Sequence, residues 1–146
     1  MCFLLFAGTE RQLPRRPWNE TTRDVCVEAF TEANIGIKSH FTKPHVQYVG
    51  STSGCGCNFH YVSLHDGHWP VFVNDQKDPE WEAEVRRSRE DLVALLRDTG
   101  EECIELYGVW DGDFDQKPKS REAIPLDGVT DESFLFKEQG FYLVEI

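Results

Sequence analysis

Asp78-Pro79-Glu80-Trp81-Glu82-Ala83-Glu84-Val85-Arg86-Arg87-Ser88-Arg89-Glu90-Asp91-Leu92-Val93-Ala94-Leu95-Leu96-Arg97-Asp98-Thr99-Gly100 is the stretch from which the fold can be read. Asp78 suits an N-cap and Pro79 the first helical position, and Glu80 and Glu82 favour the positive end of the helix dipole. Trp81, Val85, Ser88, Leu92, Leu95 and Leu96 recur near a 3.6-residue period and predict one buried stripe. Arg86, Arg87, Arg89 and Glu90 are expected mostly on the solvated side. Gly100 ends the helix, which is predicted over about 79–99.

Around this helix the chain reads as strands. Phe3 to Ala7 is wholly apolar and stops at Gly8-Thr9, the pattern of a buried strand. Val25 to Phe30, His45 to Val49, Asn58 to Leu64 and Glu102 to Trp110 are further strand candidates. Phe134–Phe136 and Phe141–Val144 complete them near the C-terminus. A short helix is expected from Thr31 to Phe41, weakened by Gly36. Phe114 to Asp131, with Pro118 and Pro125, reads as irregular. The pieces before and after residues 50–58 suggest a hairpin-like pair, with Asp66-Gly67 as a turn. Strands that do not alternate regularly with helices favour an α+β fold. We expect one globular domain over 1–146, with a mixed or mostly antiparallel sheet and the long helix packed on one face.

Composition narrows the function. A chain of 146 residues with 40% hydrophobic and 12% aromatic residues can bury a core without a staple, since a domain of this size buries roughly 70% of its unfolded surface. The balance of 15 Lys+Arg against 26 Asp+Glu, a net charge of −11, repels phosphate backbones and anionic lipid. The expectation is no nucleic acid and no membrane; a protein or small-molecule partner is not specified. No segment approaches the ~20 apolar residues of a membrane span, and Met1 to Ala7 lacks the basic flank of a signal peptide. The expected address is the cytoplasm, where five cysteines read as buried, metal-binding or redox-active.

The chemistry concentrates in Gly50-Ser51-Thr52-Ser53-Gly54-Cys55-Gly56-Cys57-Asn58, which packs three glycines, three hydroxyl residues and two cysteines into nine positions. Glycines on both sides of Cys55 remove steric bulk and permit φ > 0. Two thiols one residue apart can share zinc or another thiolate-binding metal, which needs one or two further ligands. His60 is nearest in sequence and His45 is the next candidate; Cys2, Cys26, His65 and His68 are others a fold can bring close. The same pair can exchange with disulfides through a small strained ring. It can also be purely structural, in a module whose acidic surface meets a basic partner. Ser51, Thr52, Ser53 and Gly54 could line an anion or cofactor pocket with backbone N–H groups. Nothing in the pattern decides whether the protein is an enzyme.

Two other patterns are incomplete. Asp111, Asp113, Asp115 and Glu122 match positions 1, 3, 5 and 12 of a calcium loop, but Gln116 stands where glycine is needed and Pro118 where an apolar residue belongs. Tyr48-Val49-Gly50-Ser51-Thr52 resembles the second half of the GIY-YIG nuclease signature; Gly36-Ile37-Lys38 does not make its first half, and Asn58–His60 stand where its arginine belongs. The tryptophans at 18, 69, 81 and 110 are expected in the core. Taken whole, Met1-Cys2 and the loop from Gly50 to Cys57 resemble a group of small bacterial proteins that begin Met-Cys and carry a Gly-Ser-x-x-Gly-Cys-Gly-Cys loop. That resemblance points to the loop and implies no activity.

Overall fold

The structure is a computed structural model and describes residues 2–70 and 78–146. Met1, part of the Met-Cys resemblance, lies outside the described residues. The strands are β1 (Phe3–Thr9), β2 (Cys26–Glu28), β3 (His45–Gly50), β4 (Tyr61–Val62), β5 (Cys103–Trp110), β6 (Ser120–Pro125), β7 (Phe136–Lys137) and β8 (Gly140–Glu145). Among the described residues, one α-helix, α1 (Pro79–Arg97), and 3₁₀ segments at Glu32–His40, Gly56–Phe59 and Leu126–Thr130 accompany them. Six strands form a mixed sheet in the order β2-β3-β1-β5-β8-β6. All its neighbours are antiparallel except β6 and β8. The fold is α+β, with a mixed sheet and one long helix.

Both faces of the sheet are covered, which is why β1 reads as an unbroken apolar run. Side chains alternate across a strand. Phe3, Leu5 and Ala7 join Ile104, Leu106, Tyr142 and Val144 in the core shared with Leu92 and Leu96 of α1. Phe6, Tyr107, Val109 and Phe141 point the other way, onto Ile37 of the first 3₁₀ segment, with Phe30, Phe41 and Phe114 packed around them. The helix begins as its sequence dictates: the Asp78 side chain accepts from the Glu80 N–H at 3.0 Å. Gly100 takes φ +69° just beyond its end. No helix among the described residues is long and apolar enough to cross a membrane.

Leu92 is fully buried. Leu92→Ala should therefore cost about 2–5 kcal/mol as a core truncation. Urea unfolding reads this directly; a loss under about 0.5 kcal/mol, the scale of a surface change, would mean the stripe does not pack on the sheet.

Several local expectations are corrected. β3 and β4 do not pair with each other: β3 lies between β1 and β2, and β4 pairs in parallel with β7 in a separate two-stranded sheet. The turn between them is spent on the cysteine loop, so the two strands leave in different sheets. β7 accordingly pairs with β4 and not with β8. Within the segment read as irregular, Ser120–Pro125 is an edge strand parallel to β8; Pro125 is tolerated because the strand lies at the sheet edge. The helix expected over 31–41 is a 3₁₀ segment with non-helical φ/ψ at Asn34. None of the four tryptophans is fully buried, and Trp18 is exposed.

Arg89 is the largest surprise. It lies one turn after Val85 and just before Leu92, inside the apolar stripe, and is only 4% exposed. Its Nε donates to the Phe59 carbonyl at 2.8 Å, and its terminal nitrogens to the carbonyls of Asp131 (3.1 Å), Phe134 (2.5 Å) and His60 (3.4 Å). A guanidinium can be buried here because backbone oxygens occupy its fork.

Candidate functional site: a three-cysteine cluster

The loop between β3 and β4 is built by its hydroxyls. The Ser51 N–H donates to the Cys55 carbonyl at 2.7 Å, and the Gly54 N–H to the Ser51 carbonyl at 2.8 Å. Ser51 Oγ donates to the Cys55 carbonyl and accepts from the N–H groups of Ser53 (3.4 Å) and Asn58 (3.3 Å). Thr52 turns inward instead and docks the loop on α1. Its Oγ1 donates to Glu84 Oε2 at 2.7 Å and lies 3.0 Å from Ser88 Oγ, while its N–H reaches Ser88 Oγ at 3.3 Å. Trp18 Nε1 and the Tyr48 hydroxyl donate to the Thr52 and Gly54 carbonyls at 3.0 and 2.6 Å. Ser51 and Thr52 are fully buried.

The loop backbone does not form the expected cradle for an anion. The N–H groups of Ser51, Thr52, Ser53 and Gly54 are all donated within the protein, so they present no free donors to an anion. The two glycines also serve different needs. Gly54 takes φ +87°, which favours glycine. Gly56 has an ordinary φ but no room: a Cβ there would lie 2.7 Å from the Phe3 carbonyl oxygen.

The loop delivers Cys55 and Cys57 to the start of β1. Cys55 caps the 3₁₀ segment Gly56–Phe59, its sulfur accepting from the Cys57 N–H at 3.4 Å. Ser53 Oγ lies 3.4 Å from the same sulfur. The third member is Cys2. The β1–β3 register sets Leu5 opposite Val49, and continuing it brings Cys2 level with Thr52, beside the loop. The Cys2 carbonyl accepts from the Asp111 N–H at 2.9 Å, which fixes its backbone at the end of β5. The sulfurs of Cys2, Cys55 and Cys57 all lie within 4.8 Å of one another, each partly exposed.

The cluster holds its charge unevenly. A hydrogen bond from the Cys57 thiol, with help from Ser53 and the Cys57 N–H, pulls the Cys55 pKa down to about 5 against the opposing effect of burial. The same hydrogen bond, with burial, pushes the Cys57 thiol up. The Cys2 thiol is raised chiefly by the neighbouring Cys55 charge. Of the three sulfurs, Cys55 is the one favoured to carry negative charge.

Neither histidine expected as a ligand belongs to this trio. His45 is exposed and begins β3 opposite Thr9, at the end of the strand remote from Gly50. A strand advances about 3.3 Å per residue, so the length of β3 separates it from the loop. His60 follows the 3₁₀ segment with φ +61°. Its ring meets Trp81 edge to face at 4.8 Å between centroids. Burial, then the Arg89 charge, lowers its pKa to about 4, so the imidazole is neutral at pH 7. Cys26 is buried, its sulfur 3.9 Å from the Gly54 carbonyl. Among the described residues, no other group of three or more His, Cys, Asp or Glu side chains converges in this way, the aspartates of 111–115 included.

Comparison with protein-family models, with curated proteins and with solved structures finds no match.

Proposed function

We propose that the protein binds one zinc-like, thiophilic metal ion through the sulfurs of Cys2, Cys55 and Cys57. The single observation that carries this reading is the convergence of three sulfurs from two separate elements within 4.8 Å. Thiolates about 2.3 Å from a tetrahedral ion sit about 3.8 Å apart, so a modest inward movement would seat one. Soft thiolate donors favour zinc or copper(I) over calcium or magnesium. Three protein sulfurs leave a tetrahedral ion one position for water or a small ligand, the arrangement of sites that exchange or activate what they bind. Cys55 is already disposed to ionise, and the other two thiols would release their protons on binding.

Elemental analysis of the untagged full chain tests this. The expected result is about one thiophilic metal per chain by this ligand geometry. Cys2→Ser, Cys55→Ser and Cys57→Ser should each abolish stoichiometric binding, while Cys26→Ser and Cys103→Ser retain it. A metal-free chain that fails to take up added zinc, or a Cys2→Ser chain that binds like the wild type, would overturn the assignment.

A further inference from the structure

We infer that the same three sulfurs, when free of metal, carry out thiol–disulfide exchange with small disulfides such as oxidised glutathione, Cys55 attacking and Cys2 resolving. The activity is distinct from metal binding and does not depend on it; the two compete for the same atoms.

Cys55 is the attacking sulfur by position. Where the Cys57 sulfur has one such donor, the Phe3 N–H, Cys55 has two: it receives the Cys57 N–H and has a hydroxyl, Ser53 Oγ, beside it. Both stabilise negative charge on that sulfur, and the thiolate is the nucleophile. The site is partly exposed, so a small disulfide can reach it.

The choice of Cys2 over Cys57 follows from the backbone. A Cys55–Cys57 bond would close a small ring through Gly56, and such rings are strained. Gly56 is buried against Phe3, where even a Cβ would strike the Phe3 carbonyl, so it has little room to relax. The Cys57 N–H is also committed to the Cys55 sulfur in the 3₁₀ turn. Cys2 comes from the separate segment that leads into β1, so a bond to it closes a large ring without that local strain, and its sulfur lies within 4.8 Å of the Cys55 sulfur.

In the first step the Cys55 thiolate attacks one sulfur of the small disulfide, whose S–S bond breaks. One small thiolate leaves and takes a proton from solvent, and Cys55 carries the mixed disulfide. In the second step Cys2, after losing its proton, attacks the Cys55 sulfur and expels the second small thiolate. Two protein thiols are oxidised to one disulfide, one small disulfide is reduced to two thiols, and the two protons pass to the products.

The test uses the full chain, reduced, stripped with chelator and exposed to oxidised glutathione, with acid quenching and peptide mapping. The wild type should yield a Cys2–Cys55 disulfide. Cys2→Ser should stop at glutathione on Cys55. Cys57→Ser should still form Cys2–Cys55, and Cys55→Ser should react about tenfold more slowly or worse. A main product joining Cys55 to Cys57, first capture of glutathione on another cysteine, or a Cys55→Ser chain as fast as the wild type would each overturn the inference. Circular dichroism of every variant separates lost chemistry from lost fold. Zinc uptake by the same preparations reads the metal assignment separately: intact uptake without exchange sinks this inference alone.

Discussion

Arg89→Met is expected to destabilise the protein by about 3–5 kcal/mol, the scale of breaking a buried charged network. Methionine matches the aliphatic stem and removes the burial penalty of the charge. What remains are the carbonyls of Phe59 and Phe134, which lose the guanidinium, while those of His60 and Asp131 keep the N–H groups of Phe136 and Phe134. Each buried carbonyl left unpaired costs about 1–3 kcal/mol, less where water enters. Burial lowers the Arg89 pKa to about 10, so it stays charged at neutral pH and the network is intact there. Lysine is no remedy: three donors on one point cannot serve four carbonyls spread across the planar fork. Phe59 and His60 directly follow the cysteine loop, so metal uptake should weaken along with stability. Urea unfolding with an unchanged m-value measures the first effect. A loss below about 1 kcal/mol would mean that water replaces the guanidinium without penalty.

Arg89 also marks the limit of what the sequence discloses. The helix was legible because its signals are local: a cap, a proline and an apolar period lie within one stretch. The buried strands β1 and β5 were legible for the same reason. Arg89 satisfies the period as an apolar residue would, and only the carbonyls of distant loops convert a charged position into a buried one. A charge one turn from Val85 and three residues before Leu92 was the available signal. The cluster divides similarly. Cys55 and Cys57 announce themselves by spacing, with glycine between them. Cys2 could be named only as one of several candidates, because its approach depends on which strand β1 pairs with. That register is set by long-range packing, and it places Cys2 at the loop and His45 at the opposite end. Proximity in sequence favoured His60, but its neutral ring is turned to Trp81.

Gly56→Ala is the sharper test of the site, because it keeps all three sulfurs. Alanine is conformationally acceptable here, since Gly56 does not use positive φ. The obstacle is backbone. The new methyl would sit 2.7 Å from the Phe3 carbonyl oxygen and 3.2 Å from its carbon. Phe3 is fully buried and hydrogen-bonded into β1 opposite Trp110, so the loop must move instead. Overpacking of this kind costs about 1–3 kcal/mol. The displacement falls between Cys55 and Cys57 and away from Cys2, which is tied to Asp111. A metal site must hold its donors within about 0.5 Å of the productive geometry. Metal affinity should therefore fall by about 10- to 100-fold, the range seen when supporting contacts of a metal site are lost. Competition against a chromogenic chelator measures that change, and the unfolding midpoint measures the packing cost. A folded Gly56→Ala chain with wild-type affinity would show that the sulfurs find the ion without help from the loop, and the tight seat of Gly56 on Phe3 would then be packing alone.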